Sequence, residues 1–204
     1  MRFAIPSLVL ATLSACVTVG PVGHFRKPST SLWIEPSPQL QLRLDEQAER
    51  LPYTHGQARL DQIHWFATIG EPAYSTLLVL VQDPRPDVAG SALAALGATR
   101  DSRLVEPLRD LPRSEATPDW LRYEWARTYL RLGDWGAIPV LIQALRSEEM
   151  MIRALGGQAL FEATGQRFGF EPQGEIAERD AAIVRWEEWW QSRQVEGVLL
   201  TSQL

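Results

Sequence analysis

Four glycines divide the apolar pattern of the chain into cycles of similar length. They follow one another at intervals of 27, 36 and 32 residues and are Gly70, Gly97, Gly133 and Gly165. Between them, apolar residues recur at three- and four-residue steps, as in Leu60, Ile63 and Phe66, which is typical of a helix with one buried face. A glycine suits the left-handed position just past a helix end, where a side chain would clash. Repeats of this length predict stacked helical hairpins.

Polar breaks separate two helical segments within each cycle. Residues 83–87 (DPRPD) interrupt the first cycle, and residues 147–149 (SEE) interrupt the last. Proline and polar residues of this kind mark loops between periodic segments. The second helices of the three cycles are predicted at 88–96, 120–132 and 151–163, each ended by its glycine.

The ends of the second helices carry a recurring motif. Residues 94–97 (AALG) and 130–133 (LRLG) resemble the end of the second helix of a HEAT repeat. Residues 98–108 (ATRDSRLVEPL) and 134–141 (DWGAIPVL) are similar to the aspartate-containing turn and the new first helix that follow in that family. The resemblance covers roughly residues 57–165.

The start of the second helix matches the HEAT family in two cycles of three. Leu121-Arg122 and Ile152-Arg153 stand where the family usually has Val-Arg, whereas Val88-Ala89 does not match. The resemblance implies an all-α fold, namely a short α-solenoid of about three HEAT-like helical hairpins with N- and C-terminal capping helices. HEAT repeats are mostly protein-binding scaffolds, and a minority serve chromophore lyases or bind altered DNA. An irregular helical bundle without a superhelix is the alternative architecture.

The ends of a solenoid need caps, because each repeat buries its faces only on its neighbours. We expect these caps at residues 39–56 and 176–193 of a helical domain spanning 39–204. The N-terminal cap allows two interpretations, because Leu40, Leu42 and Leu44 alternate as in a strand while residues 44–51 fit a short helix.

The first sixteen residues have the layout of a secretory signal. Arg2 precedes an apolar run, and small residues come before Cys16. Residues 13–16 (LSAC) resemble the lipobox of bacterial lipoproteins, which implies removal of residues 1–15 and diacylation of the Cys16 thiol. The apolar run from residue 3 to residue 15 is shorter than the roughly 20 residues that a membrane-spanning helix needs, so a transmembrane helix is not expected here. An ordinary secretory signal with a chance cysteine, or a cytoplasmic apolar N-terminus, are the alternatives.

Residues 16–38 are predicted to be a tether, because they are rich in proline and glycine. The lipobox resemblance implies that this tether begins at the lipidated Cys16. Trp33 and Ile34 could instead dock on the domain or lie at the lipid interface. Val17 follows Cys16 where the inner-membrane retention rule of enteric bacteria would have aspartate. By this resemblance the expected location is the bacterial envelope, at the periplasmic face of the outer membrane.

Composition and motif spacing argue against several classes of function. A net charge of −5 with scattered arginines gives no electrostatic footprint for nucleic acid. Cys16 is the single cysteine, which excludes an intrachain disulfide and a cysteine metal cluster. The three histidines, His24, His55 and His64, lack metal-motif spacing, and no serine lies in a nucleophile elbow. We therefore expect no catalysis, no metal and no cofactor.

Two groups of residues are candidates for binding. Four arginines could line the concave surface of the solenoid: Arg122, Arg127, Arg131 and Arg153. Arginine and aromatic residues are common anchors of protein interfaces, so the predicted function is a non-catalytic adaptor that binds a protein or peptide in the periplasm. The second group lies on one stripe of the C-terminal helix and comprises Trp186, Trp189 and Trp190. These indoles either cap the solenoid or form an exposed platform. If they form a platform, the alternative function is a ligand-binding or catalytic module that uses this aromatic cluster.

Overall fold

Helices form all the regular secondary structure of the residues that the computed structural model describes, 32–112 and 117–201, with side chains described up to 194. This part of the chain contains α1 (Pro38–Arg50), α2 (Gly56–Ile69), α3 (Tyr74–Leu80), α4 (Pro86–Thr99), α5 (Val105–Arg109), α6 (Asp119–Arg131), α7 (Ile138–Ala144), α8 (Met150–Thr164) and α9 (Ile176–Thr201). The predicted all-α class is confirmed. Residues 40–44 lie in α1, so the helical interpretation of the N-terminal cap holds and the strand interpretation is wrong. The predicted signal, Cys16 and residues 17–31 of the tether lie outside the described residues.

Side-chain caps and prolines determine where several helices begin. The Ser37 hydroxyl accepts a hydrogen bond from the Leu40 N–H at 3.2 Å, and Pro38 takes the first helical position of α1. Asp101 and Asp134 each accept a hydrogen bond from the N–H two residues further on, at 3.1 and 3.0 Å. The two aspartates open one-turn 3₁₀ segments that lead into α5 and α7. The chain therefore uses the same aspartate turn in two successive cycles.

Three of the four glycines that divide the sequence have a positive φ, which glycine adopts more readily than other residues. Gly70, Gly133 and Gly165 have φ values of 69°, 93° and 72°. Gly97 was predicted to end its helix, and this is wrong, because α4 continues to Thr99 and Arg100 takes the left-handed position at φ 56°. Gly97 is instead buried, where a Cβ would stand 3.3 Å from the Cα of Thr128 on α6. Its missing side chain allows α4 and α6 to approach closely.

The longer helices pack in series. α4 contacts α2 and α6, and α6 contacts α8, while α3 packs on α4 and α7 packs on α6, α8 and α9. The core between them is made of fully buried apolar side chains, among them Leu77, Leu93, Leu96, Leu104, Ile138 and Leu141. Within the described ranges, the helices are either too short or too polar to span a bilayer.

The folded unit begins at Trp33, ahead of the predicted boundary at residue 39. The Trp33 indole is buried and packs edge-on against the Tyr74 ring, with 5.0 Å between centroids. The backbone N–H of Ile34 donates a hydrogen bond to Glu71 Oε1 at 3.1 Å. Of the alternatives for these two residues, Trp33 docks on the helical domain, whereas the Ile34 side chain is exposed.

Candidate functional site

A groove of about 740 Å³ crosses α2, α4 and α6 and reaches α8. Three large apolar side chains line it while remaining open to solvent: Leu60 is 52% exposed, Trp120 37% and Leu155 41%. They come from α2, α6 and α8 respectively. Exposed apolar residues that converge on one concave surface are typical of a binding site rather than of an ordinary surface.

Small residues of α4 form the floor of this groove. Gly90, Ser91 and Ala94 lie along one side of the helix, and the Ser91 hydroxyl is occupied by a hydrogen bond to the Asp87 carbonyl oxygen at 2.7 Å. A Cβ at Gly90 would stand only 2.8 Å from Cζ3 of Trp120. The glycine therefore permits the indole of Trp120 to lie directly against α4.

Most of the arginines in the groove are held by carboxylates. Arg59 lies 3.6 Å from Asp87, and Arg127 pairs with Glu124 at 2.9 Å. Arg131 pairs with Glu162 on α8, also at 2.9 Å. Because these pairs join neighbouring helices or successive turns, they fix the side chains that shape the groove walls.

Glu162 remains ionised in this arrangement although it is partly buried. Burial acts to raise the pKa of its carboxyl group, but the hydrogen bonds from Arg131 and Gln158 oppose burial. The net effect is a pKa below the usual value for glutamate. The Arg131–Glu162 pair is therefore a fixed, charged connection between α6 and α8 at neutral pH.

Two polar groups of the groove have no partner within the described part of the chain. Arg100 is exposed at the left-handed end of α4, and no described carboxylate lies within ion-pair distance of its guanidinium. Glu124 uses Oε2 for Arg127, while its Oε1 is buried without a donor among the described residues. Of these two groups, only the exposed guanidinium of Arg100 is accessible to a molecule bound in the groove.

The four arginines proposed from the sequence do not share a surface. Arg127 and Arg131 line the groove, whereas Arg122 lines a separate cavity beside Trp125 and Tyr129. Arg122 lies away from the groove because five residues separate it from Arg127, a rotation of about 140° around an α-helix. A step of four residues, as between Arg127 and Arg131, rotates by only about 40°.

Arg153 is also absent from the groove, because it serves the protein's own backbone. Its side chain is buried and donates hydrogen bonds to three carbonyl oxygens. Nε reaches Pro172 at 2.9 Å, and Nη1 reaches Ser147 at 2.9 Å and Glu148 at 2.7 Å. The predicted concave position of Arg153 is therefore wrong.

The C-terminal tryptophans are buried to different degrees. Trp186 is only 1% exposed, and its ring meets Phe168 at 4.8 Å and Trp189 at 5.5 Å in edge-on geometry. Trp189 and Trp190 are half-buried and pack against the core. Burial favours the capping interpretation for Trp186, while part of the other two indoles remains open to solvent.

The other residues considered from the sequence do not form a chemical centre. His55 and His64 are exposed, and His24 lies outside the described residues. Within residues 32–112 and 117–201, no group of three histidine, cysteine, aspartate or glutamate residues could hold a metal ion. Sequence reasoning missed Arg59 and Arg100 as groove residues, since isolated arginines in a helical pattern give no signal of which face they occupy.

No protein-family model matches the chain, and no curated protein sequence matches it. What the chain binds is therefore inferred from its own residues.

Proposed function

We propose that this chain is a non-catalytic adaptor that binds a segment of another protein in the groove across α2, α4, α6 and α8. The observation that carries the proposal is the convergence of Leu60, Trp120 and Leu155 on one concave surface, beside arginines that are already fixed by ion pairs. Ordered arginine and exposed aromatic side chains are the usual anchors of protein interfaces.

The proposed architecture behind the groove is a short α-solenoid of about three HEAT-like hairpins, capped by α1 and α9. Three features support it: α2, α4, α6 and α8 contact one another in series, α3 and α7 pack beside them, and Asp101 and Asp134 form the same turn. A solenoid of this kind presents its concave face for binding.

The chemistry of the groove indicates what the bound segment contains. Apolar side chains of the partner would contact the exposed rims of Leu60, Trp120 and Leu155, and a carboxylate would pair with Arg100. Because Arg100 is exposed, we expect binding to weaken with rising salt.

Photocrosslinking tests whether the groove is the contact surface. A benzophenone amino acid placed at Trp120 in the full chain should capture one partner protein from native envelopes, and the same probe at Leu42 serves as the control. Leu42 is exposed on α1 and does not line the groove. Equal capture from the two positions would contradict the proposal.

Two charge-reversal variants then measure how much Arg100 contributes to the affinity for the partner. With the captured segment as a synthetic peptide, Arg100→Glu should raise Kd about tenfold, which corresponds to about 1.4 kcal/mol. Arg43→Glu, an exposed position on α1, makes the same change of net charge away from the groove. Identical Kd values for the two variants would show that Arg100 does not contact the partner.

We further propose that the chain is held by acyl chains on Cys16 at the periplasmic face of the outer membrane. Support for the anchor comes from the lipobox-like residues 13–16 and the basic, apolar start of the sequence, and support for the outer membrane comes from Val17 in the position after Cys16. Metabolic labelling with radioactive palmitate should mark the wild type and leave Cys16→Ala unlabelled. If both proteins stay unlabelled and fractionate alike, the anchor is refuted while the groove proposal stands.

A further inference from the structure

The two central helices of the groove, α4 and α6, run side by side in the same direction. Near their starts, Gly90 of α4 lies against the indole of Trp120 on α6. Near their ends, Gly97 of α4 lies against the backbone of Thr128 on α6. Contacts between starts and between ends show that the two chains are parallel.

The outer helices, α2 and α8, follow the same order. Arg59 near the start of α2 lies 3.6 Å from Asp87 at the start of α4. Arg131 at the end of α6 pairs with Glu162 near the end of α8 at 2.9 Å. The starts of the four helices therefore lie along one edge of the groove, and their ends lie along the opposite edge.

The two edges differ in chemistry. At the starts of the helices, the exposed apolar side chains of the groove lie within the first two turns of α2, α6 and α8, and they are Leu60, Trp120 and Leu155. We call this row the apolar edge. At the ends, Arg100 follows α4, and Arg127 and Arg131 lie in the last two turns of α6. We call this second row the basic edge.

The basic edge is positive although the chain as a whole carries a net charge of −5. Two of its three guanidinium groups are balanced by carboxylates, since Arg127 pairs with Glu124 and Arg131 pairs with Glu162. The third, Arg100, has no described carboxylate within ion-pair distance, so three cations face two anions here. Carboxylates of a partner are therefore favoured at this edge, and cationic side chains are disfavoured.

The distance between the two edges fits an α-helix. Seven residues separate Trp120 from Arg127 on α6, and seven separate Leu155 from Glu162 on α8, which corresponds to about 10 Å along a helix axis. The floor between the edges has small side chains, including Ala94. An α-helix with its side chains is about 10–12 Å wide. A helix that lies across the four helices would therefore meet the apolar edge on one side and the basic edge on the other.

The backbone of the groove favours a helical occupant over an extended one. The elements that line it are α-helices, whose main-chain groups bond within each helix except at its ends. The hydroxyl of Ser91 on the floor is already donated to the Asp87 carbonyl oxygen. An extended segment usually bonds its N–H and C=O groups to the edge of a sheet, whereas a bound helix satisfies these groups internally.

We propose that the groove binds an acidic amphipathic α-helix, which lies across α2, α4, α6 and α8 with its apolar stripe on the apolar edge and a carboxylate at Arg100. Three interaxial steps of about 8–10 Å separate α2 from α8, so the bound helix has roughly 16–20 residues. This inference rests on the proposed adaptor function and specifies the partner of that same groove.

Fluorescence anisotropy with three labelled peptides of about 18 residues tests the proposal on the full chain. The first peptide has leucines on one helical face, glutamates on the adjacent face and alanines elsewhere. The second has lysine in place of every glutamate, and the third rearranges the first so that leucine and glutamate alternate as in a strand. We expect the acidic helix to bind saturably, with a Kd at least about tenfold lower than the other two. An equal Kd for either of the others, or no saturation by the acidic helix up to about 1 mM, overturns the proposal.

Two pairs of variants test where the peptide lies. Ala94→Leu raises the floor of the groove and should abolish binding of the acidic helix, whereas Ala58→Leu, at an exposed position of α2 outside the lining, should leave Kd unchanged. Arg100→Glu should reduce the preference for the acidic over the basic helix about tenfold, and Arg43→Glu should retain it. Thermal melts confirm that each variant is folded. Unchanged binding by folded Ala94→Leu, or an unchanged preference in Arg100→Glu, would refute the site.

Failure of this inference is distinguishable from failure of the adaptor function. Photocrosslinking from Trp120 in native envelopes requires no particular conformation of the partner. If Trp120 captures a partner and the peptides give one of the contrary results, the acidic helix is refuted and the adaptor function stands. Equal capture from Trp120 and Leu42 contradicts the adaptor function itself.

Discussion

The two ends of the helical domain are closed by different chemistry. At the N-terminal end, Trp33 packs on Tyr74 beneath the guanidinium of Arg103, which lies 5.5 Å from the indole and pairs with Glu71 and Asp101 at 2.9 and 2.6 Å. At the C-terminal end, a cluster of aromatic rings is centred on the buried Trp186, which packs edge-on against Phe168 of the α8–α9 loop and against the half-buried Trp189. The first closure combines a packed indole with partly exposed charges, and the second consists of packed aromatic rings. We therefore expect them to differ in strength and in response to pH.

Removing the central ring of the C-terminal cluster should give the largest loss of stability. Trp186→Ala deletes a fully buried side chain and leaves a cavity, which costs about 3–5 kcal/mol in the free energy of unfolding. Tyr53→Ala is the control, because Tyr53 is an aromatic residue outside this cluster that is 80% exposed, and it should cost less than about 1 kcal/mol. Urea unfolding followed by circular dichroism measures both. Similar losses in the two variants would show that the cluster does not close the domain by burial.

The arginine that holds the C-terminal loop should have the next largest effect. Arg153→Met keeps much of the side-chain volume but leaves three carbonyl oxygens without their donor, a loss of about 1–3 kcal/mol. Arg122→Met removes exposed contacts, namely the pair with Asp119 at 3.6 Å and the hydrogen bond and ring contact with Tyr123, and should change stability by less than about 1 kcal/mol. The same urea experiment separates the two variants, and an equal loss would mean that the Arg153 hydrogen bonds contribute nothing in solution.

The positions of the helices could be predicted from the sequence, whereas the tertiary contacts of individual residues could not. Helix periodicity and stop signals are local, so the second helices were placed to within a few residues of α4, α6 and α8. Gly97 was misassigned because a close helix contact and a helix end both require glycine, and only the position of Thr128 on α6 distinguishes them. Arg153 was misassigned for a similar reason, since its carbonyl partners lie in two loops whose positions depend on tertiary structure.

Acid should weaken the N-terminal closure and so lower the stability of the domain. We expect this loss to be smaller than the losses for Trp186→Ala and Arg153→Met. The hydrogen bonds from Arg103 hold the pKa of Asp101 and of Glu71 below their ordinary values of 3.8 and 4.5. A carboxyl group whose pKa is lower in the folded state than in the unfolded state stabilises the fold at pH values above its unfolded pKa. This stabilisation is lost as the pH falls through the folded pKa. The urea midpoint of the wild type should therefore fall from pH 5 to pH 3, and it should fall less in Arg103→Met, whose two carboxyl groups titrate closer to their unfolded values. Arg43→Met should retain the wild-type slope. Parallel pH profiles for wild type and Arg103→Met would show that this end, too, is held by packing of Trp33 rather than by charge.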